Sequence, residues 1–337
     1  MSKRFGFLSL LLALTALLTA CGAVPVTQAP TLAPTAVPTL APTAVPTLAP
    51  TAVPTRTPAQ AQTITDDLGR TITLAATPER IVSLAPSVTE MLFAIGAGSQ
   101  VVGNTKFCNY PPEATALTEI GGFSAKSISI EAIVELQPDL VIAGTASQLA
   151  VIEQLAPFNI PAVVLAPASF NDVYTSIIRI GTLTGRTEAA EQLVNSMRTR
   201  VDTVLAKVAT IPDSARPTVF WEVFDDPLTT SSQTTFIGQM IELVGAKNIF
   251  ADTDEDYPQV SVEAIIERNP QVILGSARAG QATTTDTIRQ RPGWMGIQAI
   301  REQRVYLFDS DIVSRPGPRL VDAIEAVATA LYPDTFR

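Results

Sequence analysis

The chain has 337 residues, a formal net charge of −9 and no histidine. Without histidine there is no imidazole-based zinc or manganese site, no Ser-His-Asp or Cys-His catalysis, and no haem held through imidazole. Lysines and arginines are scattered within an acidic balance, which argues against nucleic acid as a partner.

The N-terminus reads as an export signal. Lys3 and Arg4 precede an uncharged apolar stretch from Phe5 to Leu18, followed by Leu18-Thr19-Ala20-Cys21. A positive start, a short apolar core and small residues before a cut describe a signal peptide over residues 1–20. The core is too short for a comfortable membrane span. Residues 31–54 are three copies of Thr-Leu-Ala-Pro-Thr-Ala-Val-Pro, and Arg56 is the one charge between residues 24 and 62. Proline every fourth residue excludes helix and favours extended polyproline II, so residues 21–62 read as a tether. At roughly 3.1 Å per residue it reaches up to about 100 Å.

Residues 63–337 are ample for a packed core. Asp66-Asp67-Leu-Gly69-Arg70 followed by Thr71-Ile72-Thr73-Leu74 predicts a turn and an alternating strand, the start of an opening hairpin. A first lobe over 63–169 carries strand candidates at 81–84, 100–103, 140–143 and 162–165. A bridging helical segment over 170–210 follows. Its core is a helix from Thr187 to Val208, in which Leu193, Met197, Val201, Val204 and Val208 share one stripe. At 1.5 Å per residue it is a rod of roughly 33 Å, long enough to cross between lobes and stiff enough to limit their rocking. A second lobe over 211–337 has strands at 218–223, 272–274 and 305–308, and a closing helix near 318–331.

Two phrases are repeated between the lobes. Ser129-Ile-Glu-Ala-Ile-Val-Glu-Leu-Gln-Pro138 is answered by Ser261-Val-Glu-Ala-Ile-Ile-Glu-Arg-Asn-Pro270. Each is a short helix stopped by proline and followed by a four-residue apolar run that suits a strand buried on both faces of a parallel sheet. Glu90-Met-Leu-Phe-Ala-Ile-Gly96 is answered by Gln239-Met-Ile-Glu242-Leu-Val-Gly245, both ending in the glycine favoured after a helix. Two echoes in one order favour duplication. They predict an α/β fold of two lobes, each with a central mostly parallel sheet and flanking helices, joined by one long inter-lobe helix.

An ordered set of motifs carries a family likeness. It comprises the Leu-Thr-Ala-Cys21 ending, the Pro-rich tether, Arg80-Ile-Val-Ser-Leu-Ala-Pro-Ser-Val-Thr-Glu90, Val102-Gly-Asn-Thr-Lys-Phe-Cys-Asn-Tyr-Pro-Pro112 and Gly121-Gly-Phe123. Asp226-Pro-Leu, Tyr257-Pro-Gln-Val-Ser261 and Ser314-Arg-Pro-Gly-Pro-Arg319 continue it, with the two echoes. The set resembles the substrate-binding lipoproteins of iron-siderophore and vitamin B12 ABC importers, a class III periplasmic-binding-protein type, over about residues 63–337. The Asn-Tyr-Pro-Pro and Arg-Pro-Gly-Pro-Arg segments lean towards the cobalamin branch. The resemblance implies lipidation of Cys21, attachment to the outer face of the cytoplasmic membrane, and a monomer working with a permease and its ATPase. It also implies no catalysis and no resident cofactor or metal, the cargo being a cobalt corrinoid.

Open α/β lobes bind at the carboxyl ends of their strands. The expected ligand contacts are Pro86, Lys106, Phe107, Tyr110, Phe123, Trp221, Phe224, Tyr257, Asp311 and Arg315: aromatics for the faces of a corrin, polar groups for its amide rim. Surface glutamates that dock on permease arginines are implied by the resemblance, and Glu90 and Glu242 are the expected pair. Ser87-Val-Thr-Glu90 also reads as a capping box. A ferric siderophore would use Lys106, Arg278 and Arg315, and haem would need Tyr110 or Tyr257 as ligand. The remaining alternative is a tethered hydrolase built on Asp225 and Asp226, or on Asp252, Asp254 and Asp256.

Overall fold

The computed structural model describes residues 61–277 and 283–336. The expected signal segment, Cys21, the Pro-rich repeats and Arg278 lie outside the described residues.

Strands β1 (Gln62–Thr65) and β2 (Thr71–Leu74) form the antiparallel opening hairpin. Asp66 ties its turn. Oδ1 accepts from the amides of Leu68 and Arg70, while Oδ2 accepts from the Arg70 guanidinium and the amide of Val164. The hairpin is thereby pinned to the edge of the first sheet.

The first lobe runs β3 (Ile81–Ser83), α1 (Pro86–Ala94), β4 (Val101–Asn104), β5 (Thr118–Glu119), α2 (Ile130–Glu135), β6 (Leu140–Ala143), α3 (Leu149–Leu155) and β7 (Ala162–Val164). Its five strands are all parallel, in the order β5-β4-β3-β6-β7. Helices α4 (Phe170–Thr184) and α5 (Thr187–Val208) follow, separated by Gly185 in the left-handed conformation.

The second lobe runs β8 (Thr218–Glu222), the hairpin β9 (Phe224–Asp225) and β10 (Leu228–Thr229), α6 (Phe236–Leu243), β11 (Lys247–Asn248), α7 (Val262–Arg268) and β12 (Val272–Ala277). It closes with α8 (Thr285–Arg289), α9 (Gln298–Arg301), β13 (Val305–Asp309), α10 (Ser310–Val313) and α11 (Leu320–Leu331). Its parallel sheet has the order β11-β8-β12-β13. Laid on the first sheet, this is β4-β3-β6-β7 without the edge strand.

The repeated phrases occupy equivalent places. Ser129 and Ser261 both cap their helices, each side chain accepting an amide at 3.1 Å. Gln137 and Asn269 both take positive φ, at 46° and 42°, immediately before the proline. β6 and β12 are then the inner strands of their sheets, buried as a continuous apolar run needs. The second echo fills α1 and α6, and Gly96 and Gly245 take φ of 76° and 73°. One sequence correction concerns α1. It starts at Pro86 with Ala85 as its cap and no side-chain cap bond, so the Ser87–Glu90 capping box does not form.

Helix α5 is the rod that its periodicity predicts, burying Ala190, Val194, Met197, Val201, Val204 and Val208. It packs on α4 and on α11, so one continuous core includes residues of both sheets. Two satellite cores cover the outer faces, one per lobe. Close approach of α4 and α5 requires Gly181: a Cβ there would stand 2.4 Å from the Cβ of Ala190. Gly181→Val is expected to destabilise by about 1–3 kcal/mol through overpacking. Gly296→Ala, where an added Cβ meets nothing within 4 Å, should stay within about 0.5 kcal/mol. Thermal melts of the two variants check this.

Candidate functional site

The parallel strands of both sheets end at a cleft between the lobes. β3 runs into Leu84 and Ala85, β6 into Gly144, β12 ends at Ala277 and β13 at Asp309. Two compartments lie there. One, of about 360 Å³, is an apolar slot walled by Pro86, Phe107, Phe123, Gly144 and Pro316. The other, of about 550 Å³, is polar, with Lys106, Asn109, Asp309 and Asp311 in its wall. Phe107 and Arg315 line both and divide them.

Each wall has a local cause. Gly144 is needed at the slot because a Cβ would come within 2.4 Å of the Ala85 Cβ. Gln148, fully buried, accepts the amide of Gly144 and donates to the carbonyls of Leu84 and Phe123, fixing the loop that presents Phe123. Sequence reasoning missed this residue; its only signal is an amide among apolar neighbours. Cys108 sits behind Phe107 with the hydroxyls of Thr89 and Thr105 each 3.2 Å from its sulfur. Burial pushes its thiol above the ordinary value, away from the reactive thiolate.

Arg315 is the hub. From the second lobe it reaches the Glu90 carboxylate at 2.9 Å, the Asn109 side-chain oxygen at 2.8 Å and the Phe107 carbonyl at 3.0 Å, all in the first lobe. Its other partner is Asp311, one helical turn earlier, which also accepts from the Asn109 amide at 2.7 Å. Arg319 closes on both oxygens of Glu90 at 2.9 and 2.7 Å and lies 4.2 Å over the Tyr110 ring. The Glu90 bonds raise the Arg319 pKa, against burial. In the second lobe another buried carboxylate, Glu222 at the end of β8, pairs bidentately with Arg291. Burial pushes its carboxyl up against the pull of Arg291.

Six of the ten expected contacts converge on the cleft: Pro86, Lys106, Phe107, Phe123, Asp311 and Arg315. Four do not. Trp221 is 0 % exposed, stacked on Phe308 at 5.8 Å, because its position on β8 points into the shared core. Tyr110 lines a separate pocket of about 450 Å³ against α5, held there by Arg319. Phe224 and Tyr257 are exposed, at 61 % and 51 %, but line neither compartment.

Of the expected docking pair, one member is buried and one is exposed. Glu90 is 3 % exposed, and its carboxylate is spent on two arginines, so it offers no surface charge. Glu242 is exposed and accepts from Gln233 at 3.0 Å. The repeated phrase carries a matched pair of exposed acids, Glu131 and Glu263, in the first turns of α2 and α7. The repeated phrase displayed them throughout. The acids weighed for a hydrolase are dispersed: Asp252 binds Arg268, Asp256 accepts from Thr234, and Asp225 accepts from Thr283.

Comparison with known proteins agrees with this geometry. Residues 81–312 match the family described as periplasmic binding protein. The uncharacterized ABC transporter substrate-binding lipoprotein YvrC of Bacillus subtilis is 36% identical over 271 residues, 79% of this chain and 84% of the relative. The vitamin B12-binding protein of Pectobacterium carotovorum is 33% identical over 257 residues, 76% of this chain and 89% of the relative. The periplasmic haem-binding protein RhuT of Roseiflexus, in apo form, superposes with a TM-score of 0.67 at 28% identity, covering 77% of this chain and 99% of that one. The chain belongs to the periplasmic binding protein family, as a non-enzymatic, extracytoplasmic substrate-binding component of an ABC importer.

Proposed function

We propose that the cleft captures cobalamin or a related corrinoid and presents it to the importer. The observation that carries this reading is the pairing of an apolar slot between Phe107, Phe123 and Pro316 with a polar compartment of amide, ammonium and carboxylate groups. A corrin is flat and apolar on its faces and amide-bearing at its rim, so it suits both compartments. The similarity to a vitamin B12-binding relative supports it. A second reading, haem, draws on the similarity to a haem-binding relative and on Lys106 and Arg315, cations that suit carboxylate side chains. Its iron would need a ligand other than histidine, and neither Tyr110 nor Tyr257 lines the two compartments. A ferric siderophore would use the same two cations together with Arg278.

Spectral titration with cyanocobalamin, cobinamide, haemin and several ferric siderophores tests the assignment. Saturation by a corrinoid at nanomolar to micromolar concentration, with none by siderophores or haemin, is the expected result; saturation by haemin alone would transfer the assignment to haem.

The chain is held to the membrane through lipidated Cys21 and the tether in this reading, and meets the permease at the rim of the cleft. A helix that precedes a parallel strand begins at the carboxyl end of the sheet, so the first turns of α2 and α7 lie on the cleft side. Glu131 and Glu263 thus offer one exposed carboxylate per lobe to permease arginines. Glu131→Arg with Glu263→Arg is expected to leave ligand binding within about twofold while uptake falls at least about tenfold, a loss of about 1.4 kcal/mol in docking. Reconstituted transport measures this; unchanged uptake would remove both residues from docking, and loss of uptake on Glu242→Arg alone would return that role to Glu242.

A further inference from the structure

Two layers of polar contact cross between the lobes beside the cleft, and they differ in how readily water can replace them. The inner layer is Glu90 of the first lobe with Arg315 and Arg319 of the second; the side chains are 2 %, 12 % and 16 % exposed. Separating it would leave a buried carboxylate without its partners, the costliest way to break an ion pair. The outer layer is Asn109, an exposed residue, bonded to Asp311 and Arg315, together with the Phe107 carbonyl bonded to Arg315. Water can take over contacts of this kind at a lower cost than it could replace the buried Glu90 pairs. Arg315 belongs to both layers and, with Phe107, is the partition between the two compartments.

We propose that Asn109, Asp311 and Arg315 form a strap that sets the width of the cleft, and that a ligand broader than either compartment enters by release of the Asn109 layer while the Glu90 layer stays closed as the pivot. The proposal rests on the reading of the cleft as a site for a broad, flat macrocycle. It makes Asn109 a specificity-determining residue: the strap bars a wide ligand until its contacts are exchanged, and lets a ligand that fits one compartment bind without releasing it.

The test uses the full-length chain in detergent, in a Cys21→Ser background with Cys108 left in its buried site. Glu135→Cys and Glu267→Cys, exposed positions equivalent in the repeated phrase, carry spin labels. Distances between them are measured without ligand in the parent, in Asn109→Ala and in Asp311→Asn. The expected result is a distribution that widens by several ångströms in both variants, and several-fold faster association of whichever of cyanocobalamin and haemin the parent binds. An unchanged distribution in both variants overturns the strap, as does a widened one with unaltered association. The distances require no ligand, so failure of both probes to bind would count against the ligand assignment while leaving the strap decided by the distances.

Discussion

One buried carboxylate holds the cleft together. Glu90 stands on the first helix of the first lobe, and its two oxygens are bonded by Arg315 and Arg319, which flank the turn before α11. A charge taken this far out of water is tolerable only with partners of opposite sign and full hydrogen bonding, and the two guanidinium groups supply both. The ion cluster therefore fixes where the Arg-Pro-Gly-Pro-Arg turn sits. That turn places Arg315 and Pro316 in the cleft wall and Arg319 over Tyr110. The seat of that turn, the placing of Arg315 at the partition of the cleft and the diversion of Tyr110 to another pocket all depend on one side chain.

Internal repetition accounts for the frame around this cluster. Equivalent serine caps, left-handed residues and prolines produce equivalent helix-strand units, and these take equivalent places in two parallel sheets. The carboxyl ends of the strands consequently converge on one cleft. The symmetry stops at the loops: the first lobe contributes Phe107 and Phe123, while the second contributes Asp309, Asp311 and Arg315. An apolar slot beside a polar compartment is the result, built from unequal insertions on an equal frame.

Long, strongly patterned segments were legible from the residues. The 22-residue α5 follows its apolar stripe, and β6 follows a run of four apolar residues flanked by proline and glycine. The two-residue strands β5, β9, β10 and β11 were not legible, because a pair of residues has no period and exists only through its neighbour's hydrogen bonds. Trp221 shows the same limit for side chains. Its sequence surroundings suit a cleft wall, yet the face of β8 on which it falls belongs to the core.

Local rules and repetition thus determined the elements, their order and the two-lobed frame, because caps, prolines and apolar periods act over a few residues. Tertiary structure alone decided which charges are surface charges. Glu90 and Glu131 are both helical glutamates of the first lobe. One is buried because arginines more than two hundred residues away in the chain pack against it, and the other is exposed, bonded by the hydroxyl of Ser129 in its own helix cap. Desolvation of a carboxylate depends on what the fold brings to it, and that information is not carried by its neighbours in sequence.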